Sequence, residues 1–418
     1  MESAVQPTVS PNATEEPSDL TLLTTLGTGK YVDVTYQYGQ QQFTTSLVPV
    51  ALAEWFKPTK TIVLLTEQAK NSDYWQLLSK KVQNCQEAKI PEGRSEEEYW
   101  KIFDIVTSAL SGSKEVILDI THGFRSLPVI VLLAAVFLQE SQGVKMRHIF
   151  YGAYEARDKD KGEPAPIFDL SPMLDLVQWA VATNRFLETG DARKLGHLLE
   201  EIQRRFYTSV EVSAGKEPPK QLQSAGQALS KLSQAIDLVR PADIREYSQK
   251  LMEELVTAKT EIQLFARPFE LVREHVQAEF GGLKQGDLAS QRDLIKWYLD
   301  HGRILQAMIF AREWVISWTA EAINRGDLKD RESIEHALNQ VIHRSEGRDP
   351  TKAKDIDPDI VKSVNDLEAR EQLKDIWSEL GGLRNDLAHC GFRKDRRKVN
   401  RLPDQAKEIY CLLRELEC

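Results

Sequence analysis

The pattern of apolar and polar positions changes character once along the chain. Up to Tyr151, short apolar runs (Leu20–Leu26, Lys60–Thr66, Lys114–Ile120 and Lys145–Tyr151) alternate with stretches of helical periodicity. The runs are nearly continuous in Val, Ile and Leu rather than alternating, which predicts central parallel strands covered on both faces. Helices are predicted between them over Ser46–Phe56, Asp73–Cys85 and Ser95–Leu110, the last opening on Ser95-x-x-Glu98, a capping-box pattern. Leu127–Leu138, the longest apolar run, is far below the roughly 20 residues that span a bilayer and predicts a buried helix. Tyr31–Tyr36 alternates and Phe43–Thr45 follows a turn at Gly39, so a hairpin is expected after the first strand. The sum is an α/β domain with a doubly wound parallel sheet.

This pattern ends near Asp169-Leu170-Ser171-Pro172, and from Met173 onward the periodicity is helical, so the second half is expected to be all-α. A chain of 418 residues exceeds what one core normally serves. The expected division is a tail over 1–18, the α/β domain over 19–172, a helical linker or insertion over 173–290, and a C-terminal helical domain over 291–418. Ser213–Ser224 predicts an exposed loop, and the polar stretch Arg325–Asp359 an insertion with some helix near Ser333–Ile342.

Composition narrows the function classes. Hydrophobic residues make up 41% and charged residues 28%, which suits a packed globular protein. Lys and Arg total 54 against 63 Asp and Glu, a formal charge of -9, so any contact with a polyanion must be local. Cys85, Cys390, Cys411 and Cys418 form no CxxC pair and no Cys/His ligand spacing, which argues against a zinc ribbon or a disulfide scaffold; no metal is expected. Met1–Asp19 lacks the basic and apolar regions of a signal peptide, so a cytoplasmic, non-membrane protein is expected.

Two constellations carry chemistry. Asp119-Ile120-Thr121-His122-Gly123-Phe124-Arg125-Ser126 closes the third core strand and leads into an apolar helix with Pro128 in its first turn. Ligands of open parallel sheets sit beyond the carboxyl ends of the strands, where helix N-termini favour anions. Gly123 permits close backbone approach, Thr121 and Ser126 offer hydroxyls, and Arg125 offers a fork for phosphate. The first strand ends in Leu26-Gly27-Thr28-Gly29-Lys30-Tyr31 at the same edge. Thr24 stands where a Walker loop needs its first glycine, and the third glycine of a dinucleotide fingerprint is missing. A phosphate-friendly cleft remains, in which Tyr31 and Phe124 either stack on bases or belong to the core.

The second constellation is Gly381-Gly382-Leu383-Arg384-Asn385-Asp386-Leu387-Ala388-His389-Cys390. On a regular helix Arg384 and His389 stand about 140° apart, whereas Asn385 and His389 share a face; the double glycine offers a place for a break. The trio suits metal-independent RNA cleavage. Histidine moves the proton, arginine steadies the charged phosphorane, and asparagine orients either group. Arg393, Lys394, Arg396 and Arg397 follow directly and offer an RNA backbone site, or a solvated face. Upstream, adjacent Arg312 and Glu313 either brace this helix or face solvent.

Asp119-x-Thr121-His122-Gly123 resembles the DxTHG signature of CRISPR-associated proteins with a CARF domain, a Rossmann-like sensor, and the Gly27–Tyr31 turn is similar to that family's first loop. Arg384-Asn385-x3-His389 resembles the catalytic motif of HEPN ribonucleases, commonly fused to CARF. The resemblance implies an accessory ribonuclease of type III CRISPR immunity. A cyclic oligoadenylate, tetra- or hexa-adenylate, would act as activator on Gly27, Thr28, Gly29, Lys30, Tyr31, Thr121, His122, Gly123, Phe124, Arg125 and Ser126. Arg384, Asn385 and His389 would cleave single-stranded RNA in a homodimer. Two other classes stay open: a non-catalytic sensor that recruits a partner through its helical half, and a CARF pocket that degrades its own ligand.

Overall fold

The computed structural model describes residues 19–123, 126–157, 162–208, 217–284, 286–326, 330–345, 357–392 and 396–416. The chain divides into two compact units, Met1–Gln178 and Trp179–Cys418.

The first unit is built on β1 (Leu20–Leu26), β2 (Val34–Tyr38), β3 (Gln41–Thr45), β4 (Lys60–Leu65), β5 (Cys85–Lys89), β6 (Glu115–Asp119), β7 (Lys145–Gly152) and β8 (Ala165–Asp169). They form one sheet in the order β3-β2-β8-β7-β6-β1-β4-β5. The strands from β5 to β7 run parallel, β8 is antiparallel to β7, β2 parallel to β8, and β3 closes the hairpin. The connecting helices are α1 (Val48–Phe56), α2 (Glu67–Lys70), α3 (Asp73–Lys81), α4 (Glu96–Leu110) and α5 (Leu127–Gln142).

Every residue of β1 is buried, and its alternate side chains enter different cores. Leu23 packs in the cluster of α4 and α5, while Leu20 and Leu22 pack with Val48 and Leu52 of α1. Each such side chain contributes roughly 1.5–3 kcal/mol on full burial. A strand covered on both faces must be apolar throughout, which is why β1, β4 and β6 stand out in the sequence, whereas β7 leaves Lys145 and Arg147 exposed. β1 sits between β4 and β6, where the winding of the sheet reverses.

Three expectations need correction. The helix expected over Asp73–Cys85 ends at Lys81, and Cys85–Lys89 is the edge strand β5. With one neighbour and mostly exposed side chains, it has no need of an apolar sequence. β8 was not anticipated: its short run lies on the antiparallel side of the sheet. The Leu127–Leu138 helix is α5, yet it is buried on one face only; Val129, Leu133 and Phe137 are 58%, 60% and 52% exposed. The Ser95 cap forms as expected, its hydroxyl accepting the Glu98 N–H at 3.3 Å.

The second unit is all-α: α6 (Leu174–Thr189, beginning in the first unit), α7 (Arg193–Thr208), α8 (Leu222–Asp237), α9 (Pro241–Thr257), α10 (Lys259–Phe265), α11 (Arg267–Gly281), α12 (Leu288–Asp300), α13 (Ile304–Ala322), α14 (Arg331–Ser345), α15 (Pro358–Asn365), α16 (Arg370–Ala388) and α17 (Leu402–Glu415). One continuous apolar core runs from Trp179 to Leu416. α7 and α8 approach closely because Gly196 faces Gly226: a Cβ on either would lie 2.4 Å from the other's carbonyl oxygen. At the α6–α7 turn, buried Asp191 accepts hydrogen bonds from Arg185 and from both the backbone and side chain of Arg193. Among the described residues no helix is long and apolar enough to cross a membrane.

Candidate functional site

The loops after β1 and β6 meet at the carboxyl edge of the sheet, at its reversal point. Asp119, 1% exposed at the end of β6, ties them together. One carboxylate oxygen accepts the Thr24 hydroxyl at 2.7 Å and the other the Thr121 N–H at 3.0 Å. Thr121 in turn accepts the Gly152 N–H at the end of β7, at 2.9 Å. Three neighbouring strand ends are thus held by one carboxylate and one hydroxyl.

His122 is buried, and its Nε2 accepts the N–H of Val48 at 3.2 Å. That amide opens α1, whose N-cap position is Leu47, a residue with no side-chain acceptor. The histidine therefore caps α1 from another loop, with its proton on Nδ1. Burial pushes the imidazole below its ordinary pKa, against the pull of Asp119. The Tyr31 ring stands edge-on to His122 at 4.5 Å and to Tyr74 at 4.7 Å, while its hydroxyl accepts the Gly27 N–H at 3.1 Å. Tyr31 thus packs into this frame while staying partly exposed, and burial raises its phenol pKa.

Gly27 and Gly123 are required by close approach. A Cβ at Gly27 would meet the His122 carbonyl at 3.1 Å, and one at Gly123 would meet Pro128 at 3.0 Å. Thr28, Gly29 and Lys30 are exposed above this frame, and Thr121, Gly123 and Ser126 are partly so. Ser126 occupies the N-cap position of α5 but its side chain makes no cap bond. Phe124 and Arg125 lie outside the described residues. The rim thus separates into a packed layer (Asp119, His122, Tyr31) and an accessible one (Thr28, Gly29, Lys30, Ser126). The roles of Thr24, Tyr74, Val48 and Gly152 had no signal in the sequence, because each depends on a partner on a distant strand or helix.

The second constellation lies on α16, which continues unbroken through Gly381-Gly382 to Ala388. The break open to the double glycine is absent. Instead Gly382 makes room for Arg397, whose Nη2 would lie 2.9 Å from a Cβ there. Arg384 donates from Nη1 to Asn385 Oδ1 at 3.1 Å, and its Nε is buried without a partner among the described residues. His389 is the C-cap residue, exposed, with no hydrogen bond to its ring among the described residues. Cys390 and Gly391 then turn the chain with φ of 54° and 67°. Arg384 and Asn385 are brought together within the chain; Arg384 and His389 are not, as a regular helix dictates.

Arg312 of α13 braces this helix, its guanidinium lying 4.1 Å from the centre of the Trp377 ring and paired with Glu335. Glu313 pairs with Arg331 of α14 at 2.7 Å. Of the basic cluster, Arg393 and Lys394 lie outside the described residues and Arg396 is exposed. Arg397 is engaged within the chain by Gln405 and Glu379, and its N–H is accepted by Asp386.

Comparison with known proteins assigns the class. Residues 21–155 match the CARF domain of the CRISPR system endoribonuclease Csx1, and residues 175–284 match the second domain of the CRISPR-associated protein MJ1674. The first unit is a CARF domain, and both matched domains are ones found in CRISPR-associated proteins. It is 26% identical over 310 residues to the CRISPR-associated protein MJ1674 of Methanocaldococcus jannaschii, across 73% of this chain and 42% of that protein's length. The chain therefore spans about two fifths of the curated relative. Residues 285–418, with the Arg384–His389 segment, lie beyond both matched domains.

Proposed function

We propose that the protein is a metal-independent endoribonuclease of type III CRISPR defence, switched on by a cyclic oligoadenylate bound at the CARF rim. The reading is carried by Arg384. It is a half-buried cation whose Nε has no partner among the described residues, held beside Asn385, about 1.4 helical turns before an exposed histidine. Such a guanidinium has donors left for a phosphate, and an exposed imidazole can accept a proton and return it to the leaving oxygen. His389 removes the proton of a ribose 2′-hydroxyl, the oxygen attacks the adjacent phosphorus, and Arg384 stabilises the phosphorane. The 5′-oxygen departs with a proton, leaving a 2′,3′-cyclic phosphate and a 5′-hydroxyl. Base and cation are both side chains, so the scheme calls on no metal.

Arg384 and His389 diverge on one helix, which favours an active site assembled from two chains, each supplying one set. The exposed apolar stripe of α5, Val129, Leu133 and Phe137, with exposed Trp100 of α4, supports a homodimer through the first unit as well. A two-fold dimer suits a cyclic ligand with an even number of adenylates. Activation needs the ring to bind one of two states more tightly, and only that difference shifts the equilibrium.

His389→Ala is expected to lower cleavage of labelled single-stranded RNA by about 100-fold or more in the presence of cyclic tetra- or hexa-adenylate, with ring binding unchanged. Cleavage at the wild-type rate overturns the assignment. Ring binding without RNA cleavage by the wild-type protein leaves a sensor.

A further inference from the structure

We propose that Arg303 is a positioning residue through which a ring bound at the CARF rim acts on α16 and its Arg384. It rests on the ring-binding reading and deepens it by naming how the site is regulated.

The route follows packed elements. Ser126 closes the rim loop and opens α5, whose Leu127 and Val131 share a core with Leu174, the first residue of α6. α6 continues as one helix of 16 residues, about 24 Å long, and its Trp179, Ala182 and Phe186 lie in the core of the second unit. A helix packed along its length moves as a rod, so a shift at its first turn is carried to its last.

What α6 meets at that end is polar. Gly190 turns the chain with φ of 68°, and a Cβ there would lie 2.2 Å from the Trp297 ring, so the turn seats directly on α12. Arg303, at the N-cap position of α13, forks onto the Thr189 carbonyl from Nε at 3.1 Å and from Nη2 at 2.8 Å. Its Nη1 donates to Asp237 at the end of α8, which also pairs with Arg193 of α7 at 2.9 Å. The Arg303 side chain is 13% exposed. One largely buried guanidinium thus ties the ends of α6 and α8 to the start of α13.

The joint falls at a boundary in the chain. Thr189 and Asp237 lie within residues 175–284, the matched second domain, whereas Trp297 and Arg303 belong to the segment that carries the candidate catalytic residues. Both segments contribute to one apolar core, but apolar contact has no direction of its own. A guanidinium fork does. A buried ion pair adds little net stability over apolar residues of the same volume, and its best-attested use is to hold one register.

Beyond the joint the path is short. α13 carries Arg312 nine residues after Arg303, stacked on Trp377 of α16, and Asn339 of α14 accepts the Trp377 indole N–H at 2.9 Å. Trp377 and Arg384 are seven residues apart on one face of α16, about 10 Å along its axis. A change in the seat of Arg303 therefore reaches Arg384 through two packed helices.

Hydrogen exchange of the full chain, with and without cyclic tetra- or hexa-adenylate, tests this without any RNA. In the wild type the ring should slow exchange in the loops after β1 and β6 and change that of the α16 amides around Arg384 by about fivefold or more. Arg303→Met keeps the length of the side chain but removes fork and charge. Its loops should be protected as before, while the α16 response falls to about twofold or less. Arg303→Lys keeps a charge beside Asp237 without the fork and should lose most of the response as well, which covers a methionine variant that fails to fold. A mere brace, once removed, would raise α16 exchange equally with and without the ring. A ring response of wild-type size at α16 in a folded variant therefore overturns the inference. So does a wild-type α16 that ignores the ring while the loops are protected, an outcome that leaves ring binding standing. Loops left unprotected in the wild type defeat the ring-binding reading, and the inference with it.

Discussion

Replacing His122 by Phe isolates a bond that two distant segments share. Phenylalanine keeps a flat ring against Tyr31 but removes the Nε2 that accepts the Val48 N–H at 3.2 Å. Leu47 has no side-chain acceptor to take its place, so the first amide of α1 is left buried and unpaired. That costs about 1–3 kcal/mol, since the whole desolvation penalty of the N–H returns. Native-state hydrogen exchange reads it directly: the Val48 amide should exchange roughly 5- to 150-fold faster in the variant, with β1 amides less affected. The wild type should show the same weakness in acid. Burial lowers the His122 pKa, so the unfolded chain takes up this proton at about pH 6.5 and the folded chain only at lower pH. The contribution is complete above pH 6.5 and drains away as pH falls toward the folded value. An unchanged Val48 exchange rate in His122→Phe, or an equal acid slope with and without the histidine, refutes the capping role.

Asp191 provides a carboxylate counterpart. Burial would raise its pKa, but the Arg193 and Arg185 hydrogen bonds bring it to about 2. Its contribution is therefore present above about pH 4 and lost as pH falls toward 2. Allowing for its half-exposed guanidinium partners, Asp191→Asn should cost roughly 1–2 kcal/mol at neutral pH, read as a lower urea midpoint for the second unit. Gly196→Ala and Gly226→Ala should each destabilise by about 1–3 kcal/mol in the same assay, because the added methyl meets backbone across the α7–α8 crossing. Gly382→Ala meets only the mobile end of Arg397 and gains helix propensity, so it should be neutral or stabilising by up to about 1 kcal/mol.

The parts of the molecule legible in the sequence are those where burial dictates composition. β1, β4 and β6 are covered on both faces and show as apolar runs, and β7 does so only past Arg147; β5 and β8, at the edge and beside the antiparallel strand, carry no such mark. The hairpin and the Ser95 cap were visible because their chemistry is local. The meeting of the two glycine turns followed from the winding rule, but their division into packed and accessible layers did not. Nothing local distinguishes a histidine that caps a helix 74 residues away from one that faces a ligand. The Arg384–His389 segment had the converse history. Its motif was plain, and helical geometry already placed the two side chains apart, whereas the approach of Arg397 to Gly382 joins positions 15 residues apart and left no mark in the sequence. A helical glycine seven residues from a histidine gives no hint that it is making room for an arginine.

The central claim, that Arg384 and His389 drive attack by the ribose's own hydroxyl, is tested most directly by the chemistry of the cut ends. RNA incubated with the full chain and cyclic oligoadenylate in excess EDTA should yield 2′,3′-cyclic phosphate and 5′-hydroxyl termini, with both products lost on Arg384→Ala or His389→Ala. Termini bearing a 3′-hydroxyl and a 5′-phosphate, or cleavage only after a divalent cation is restored, contradict it.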